Sequence, residues 1–128
     1  GTMGLLCDPK HAALADFPND GHTDWQWWDL QVHSTTLCVD EIQGGEPVIE
    51  MIDNFVNNRR LTNLFEGSIG KGQLMIASFD LKTDLSNRPE ASQILKSILQ
   101  YMNSKKFKPR LIHNPEALDT LLRYKEEL

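Results

Sequence analysis

Apolar positions in the last third of the chain recur at helical spacing. Ala91, Ile94, Leu95, Ile98, Leu99 and Met102 follow an i, i+3, i+4, i+7 stripe. Asn87 followed by Glu90 resembles a capping box, and Pro89 suits a first helical turn. Asn114-Pro115 starts a final helix, in which Ala117, Leu118, Leu121, Leu122 and Leu128 form a weaker stripe with a charged end. The middle of the chain changes to strand composition. Thr35 to Val39 and Val48 to Asp53 read as strands. The stretches Leu61 to Ile69 and Gln73 to Asp80 flank Gly70-Lys71-Gly72, the strongest hairpin signal present. The second arm is almost continuously apolar, which suits a central strand buried on both faces.

Punctuation sets the remaining elements. Leu5-Leu6-Cys7 stops at Asp8-Pro9, and Asp8 can cap a short helix over Pro9 to Ala15. Phe17 to Gly21 is a turn cluster. Thr23 can cap a helix running from Trp25 to Leu30. Gln43 to Pro47 and the asparagine-rich Asn54 to Arg60 are loops. The expectation is an α/β domain of mixed α and β structure. Its small, mainly parallel sheet carries a hairpin and is covered by helices, including a long C-terminal pair.

At 128 residues the chain is about one domain, large enough to bury a core without cross-links. Gly1-Thr2-Met3 reads as an expression scar, leaving one domain over residues 4–128. The net charge of -5, with no basic block beyond Lys105 to Arg110, argues against nucleic acid as partner. No apolar run reaches the length of a transmembrane helix, so no membrane partner is expected. Cys7 and Cys38 are too few for a disulfide framework.

Signatures of common reactions are missing from the sequence. There is no G-x-S-x-G elbow, P-loop or dinucleotide fingerprint. The four histidines, His11, His22, His33 and His113, have no ligand spacing, and a zinc site using His22, Asp24 or Cys38 is a minor reading. Cys7 reads as a buried thiol rather than a nucleophile. Asp24 with Asp29, or Asp53 with Asp80, are candidate carboxylate pairs for glycoside hydrolysis, but only weak ones. No catalytic residue, metal or cofactor is assigned.

Two segments suit binding instead. All three tryptophans fall within His22 to Asp29. On a helix Trp25, Trp28 and Asp29 share a face and Trp27 points away from Trp25, so at least one indole is exposed or packs on another element. Indoles beside hydrogen-bonding groups make either core or a stacking platform for a sugar. The loop from Asp53 to Arg60 follows a strand, and its Asn and Arg side chains offer directed hydrogen bonds. A structural loop, with Arg59 paired to a carboxylate, is the competing reading. Trp25, Trp27 and Trp28, with Asp24 and Arg59 as polar contacts, are the candidate carbohydrate-binding residues.

Several segments taken together carry a resemblance. They are Leu6 to His11 with Ala15 to Pro18, His22 to Trp28, Val48 to Asn54 with Asn58 to Leu61, Phe65 to Leu81, and Arg88 to Ser104. They resemble the C-terminal region of Bacteroidetes glycoside hydrolase family 2 proteins, described as sugar-binding or β-galactosidase-like. The strand, hairpin and helix order also looks like the closing half of a glutamine-amidotransferase-like α/β domain, without its cysteine elbow. The family 2 resemblance implies a non-catalytic accessory domain that packs against the catalytic part of the same polypeptide or contacts carbohydrate. It also implies a periplasmic or extracellular location. A structural or oligomerisation module with an exposed tryptophan, and a small hydrolase, are the competing functions.

Overall fold

The computed structural model describes residues 4–54, 56 and 58–127. The leading tripeptide and Leu128 lie outside that range. Five strands form one sheet: β1 (Gly4–Cys7), β2 (Leu37–Cys38), β3 (Glu46–Ile52), β4 (Leu61–Ile69) and β5 (Gly72–Ala77). The order is β1-β3-β4-β2, and β5 pairs with the second half of β4. Three α-helices accompany them: α1 (Trp28–Val32), α2 (Pro89–Met102) and α3 (Glu116–Glu127).

Each of the four ladders is antiparallel, so the expected mainly parallel sheet is not formed. The connections explain this. A parallel crossover needs a dozen or more residues, usually containing a helix. Here β3 reaches β4 through residues 53–60, and β4 reaches β5 through Gly70 and Lys71 alone. Gly70 has φ 56 at the first turn position, where a two-residue hairpin favours glycine.

The buried strand is also not the one expected. β4, rather than β5, is central, and every residue from Leu61 to Gly67 is buried. It pairs with β3 on one side and with β2 and β5 on the other. The apolar run of β5 has a different cause: as an edge strand it still has both faces partly covered. Met75 and Ala77 pack with Leu64 on one core, while Leu74 and Ile76 pack with Phe65 on another. Two compensating register shifts interrupt β3 and β4. The Thr62 hydroxyl fills the gap in the ladder, 2.6 Å from the Ile49 carbonyl and accepting the Leu64 N–H at 3.1 Å.

The larger core takes α2, the Trp27 turn and the first 3₁₀ turn (Ala12–Leu14) onto one face of the sheet. The helix expected over Pro9 to Ala15 is reduced to this turn, whose Ala13 N–H is met by His11 Nδ1, while Asp8 accepts the Lys10 N–H ahead of it. In α2 the buried face is Ala91, Ile94, Ser97, Ile98 and Tyr101. Leu99 and Met102 of the expected stripe are exposed. Ser97 replaces them as an inward contact: its hydroxyl donates to the Ala13 carbonyl at 2.7 Å and accepts the Asp16 N–H at 3.0 Å.

The smaller core lies on the other face. Val39, Ile42, Phe65, Ile112 and Leu118 are buried there, with Ala117 and Leu121 of α3 beside them. The two C-terminal helices therefore cover opposite faces of β4, and the expected long helical pair does not exist. Asn114 ties the start of α3 to the β2–β3 connection. Its side chain accepts the Gln43 N–H at 2.7 Å and donates to the Glu41 carbonyl at 2.6 Å.

Candidate functional site: the tryptophan face and the neighbouring cleft

The tryptophan segment opens as a 3₁₀ turn over Trp25–Trp27 and continues directly into α1. The Asp24 carbonyl accepts the Trp27 N–H at 3.2 Å. The Thr23 hydroxyl, just before this turn, accepts the Leu5 N–H at 2.9 Å and holds the segment to β1. One face of the turn and helix enters the core. Trp27 and Leu30 are both 0% exposed, and Trp27 packs on Phe17 with ring centroids 4.9 Å apart. Trp27 is therefore a core residue, and its assignment to carbohydrate contact is withdrawn.

The opposite face carries Trp25 at 88% exposure, Trp28 at 65% and Val32 at 53%. Their spacing of three and four residues makes one stripe. Asp24 precedes it and is half-buried. Asp29 leads away from it, because Arg88 donates to its Oδ2 at 2.8 Å. The same guanidinium donates to the Thr83 and Asp80 carbonyls, so one nearly buried arginine joins α1, the β5–α2 connection and the start of α2.

Arg59 sits on a different surface. It forms a bidentate pair with Asp53, Nε to Oδ2 at 2.9 Å and Nη2 to Oδ1 at 3.1 Å, and its backbone N–H joins the same carboxylate. Those contacts, the guanidinium first, hold the Asp53 carboxyl far below the usual carboxylate range. Asp53 and Arg59 thus make the ion pair of the structural-loop reading that the sequence also offered. Arg59 also lines a cleft of about 1080 Å³. The cleft runs between α1, the chain leading into β2, and α3, with Leu37, Met51 and Leu61 in its lining.

The candidate chemical groups are otherwise engaged. Burial pushes the Cys7 thiol up to about 11, and Asn19 accepts from it at 3.4 Å. Burial raises the Cys38 thiol as well. Both cysteines are free, and they lie on strands at opposite ends of the β1-β3-β4-β2 order. Asp80 accepts the Lys82 and Thr83 N–H groups, and its carboxyl is held far down, chiefly by Thr83. A general acid needs the opposite shift. Among the described residues, no three His, Cys, Asp or Glu side chains gather as a metal site would require.

One buried constellation was not read from the sequence. Glu66, on β4, is 4% exposed. The Tyr101 hydroxyl donates to its Oε2 at 2.7 Å, and His11 Nε2 lies 3.5 Å from Oε1. His11 Nδ1 accepts the Ala13 N–H, which leaves the proton on Nε2, facing Glu66. The bond to Glu66 raises the His11 pKa, while burial first and then Glu66 push the Tyr101 hydroxyl well above its ordinary value. Both carboxylate oxygens are occupied, so the cluster pins α2 and the first 3₁₀ turn to the central strand. A lone glutamate inside Leu64-Phe65-Glu66-Gly67 was the available signal.

Residues 1–123 match the family described as a domain of unknown function, DUF8487. The chain belongs to this family. No curated protein matches it. For this DUF8487 domain, then, the geometry itself must carry the functional reading. No described helix is long and apolar enough to cross a membrane.

Proposed function

We propose that this chain is a non-catalytic accessory domain of a carbohydrate-active enzyme, and that Trp25 and Trp28 form its carbohydrate-contacting surface. The observation that carries the reading is the exposure of these two indoles on one helix face. Phe17, Trp27, Phe65, Phe79, Tyr101 and Phe107 are all buried. Two exposed indoles are costly to keep unless something stacks on them, and sugars present apolar ring faces with polar edges. Asp24 is the nearest proposed polar contact. Arg59 is not among them, because its guanidinium is already paired with Asp53. The family 2 resemblance supplies the enzyme class, and the engaged aspartates and cysteines favour binding over chemistry.

The test is a tryptophan-fluorescence titration with galactosides, glucuronides and plant oligosaccharides. Saturable quenching or a blue shift is expected with one of them. Trp25→Ala and Trp28→Ala should each weaken binding about tenfold, or ~1.4 kcal/mol, without changing the unfolding midpoint. No response up to millimolar ligand sinks the reading, as does hydrolysis of chromogenic glycosides by this domain.

A second reading follows from Val32, which extends the stripe with a branched aliphatic side chain that a sugar does not need. Under it the face packs against the catalytic part of the same polypeptide. Val32→Asp would then release the domain from that part while leaving sugar binding unchanged.

A further inference from the structure

We infer that the cleft between α1, β2 and α3 is a second binding site, for an uncharged amphipathic small molecule that presents an acceptor oxygen to Gln31. This inference stands apart from the tryptophan face, because neither Trp25 nor Trp28 lines the cleft. The volume of about 1080 Å³ suits a drug-sized organic molecule. The lining is divided. Leu37, Ile42, Met51, Leu61 and Leu121 provide the apolar part. Gln31 and the hydroxyl-bearing Thr35, Thr36 and Thr120 provide hydrogen-bonding groups.

Gln31 points to the ligand's polar end. Its Nε2 is buried and has no hydrogen-bond partner in the protein. A buried donor left unpaired costs about 1–3 kcal/mol. Gln31 lines the cleft, and its terminal amide torsion is broad, so in the proposed complex the amide turns to bring that N–H to the ligand. A carbonyl or ether oxygen seated there would satisfy it.

The charges select against anions. Glu41 and Glu116 line the cleft, and among the described residues Arg59 is its one lining cation. The Arg59 guanidinium already has two nitrogens on Asp53. An incoming carboxylate or phosphate therefore meets two carboxylates and a cation already neutralised. A bare cation would suit the glutamates but leave Gln31 unpaired. An uncharged molecule with an apolar body satisfies the whole lining.

Coumarin is a suitable probe, since it is flat, neutral and carries a lactone carbonyl. It is titrated into ¹⁵N-labelled protein and followed by two-dimensional NMR. Saturable shifts are expected at the Gln31 side-chain amide and at the backbone of Thr36, Ala117 and Thr120. Coumarin-3-carboxylate should bind at least tenfold more weakly, matching ~1.4 kcal/mol of charge discrimination. Gln31→Leu should weaken coumarin about tenfold, and Ala117→Trp, which fills the cleft from α3, should abolish binding. Shifts that fail to saturate, or that centre on the Trp25 and Trp28 indoles, overturn the inference. Equal affinity for the carboxylate, or undiminished binding in the folded Ala117→Trp variant, does the same. Sugar titrations of the tryptophan face have no bearing on these outcomes.

Discussion

Trp27→Ala is expected to destabilise the fold by about 3–5 kcal/mol, whereas Trp25→Ala and Trp28→Ala should each cost less than about 0.5 kcal/mol. The three substitutions remove the same side chain from three neighbouring positions. Only the rotation of the helix differs. Trp27 is the largest fully buried side chain and rests on Phe17, next to the core formed by Leu14, Leu30 and Ile94. Its removal leaves a cavity that close-packed neighbours cannot fill. A loss of that size is roughly a fifth or more of the stability of an ordinary domain. The indole carries one counterweight, since its buried Nε1 has no protein acceptor. Trp27→Phe removes that donor and keeps most of the ring, so it should cost less than half as much as alanine. Urea unfolding checks the set: the midpoint should fall for Trp27→Ala with an unchanged slope. A Trp27→Ala variant within 1 kcal/mol of the parent, by the same scale of core substitutions, would show that Trp27 is not the core residue described.

The tryptophans also show how far the sequence could be read. Helical spacing separated Trp27 from Trp25 and Trp28 correctly. It could not say which side was inward, because indoles serve equally in cores and on platforms. The β4–β5 hairpin was legible because glycine marks a turn that other residues enter only with strain. Strand direction is not carried by composition, which shows only that strands exist; the short connections are what make the sheet antiparallel. The central strand was misplaced for a related reason. β5 looks more apolar than β4, whose Thr62, Asn63 and Glu66 suggest a surface. In the fold Thr62 repairs its own ladder, and Glu66 is met by Tyr101 and His11, so polar residues sit inside. Partners from 35 and 55 residues away are invisible to local pattern. Arg59 was half legible. A cation in a ligand-like loop attracts a functional reading, but Asp53, six residues earlier, accepts from two of its guanidinium nitrogens.

Glu66→Ala should cost about 3–5 kcal/mol, the scale for breaking a buried ion pair from one side. Its carboxylate is the common acceptor for two elements, and without it the Tyr101 hydroxyl and His11 both lose their partner inside the fold. Glu66→Gln keeps an acceptor for Tyr101 but removes the charge, so it isolates the part owed to protonated His11. That part depends on pH with a definite sign. The folded His11 pKa lies above its ordinary 6.5, first because of the bond to Glu66. The folded state then binds the proton more tightly than the unfolded one. The stabilisation is complete below the unfolded value of 6.5 and is lost as pH rises through the higher folded value. Unfolding free energies measured by urea between about pH 6 and pH 8.5 should therefore fall for the parent protein. The range stays below the ordinary thiol value of 9.0, so Cys7 is mostly protonated folded and unfolded. His11→Ala and Glu66→Gln should both flatten that fall, although both begin less stable. If His11→Ala keeps the full pH dependence of the parent, the His11–Glu66 contact is not what couples this fold to protons.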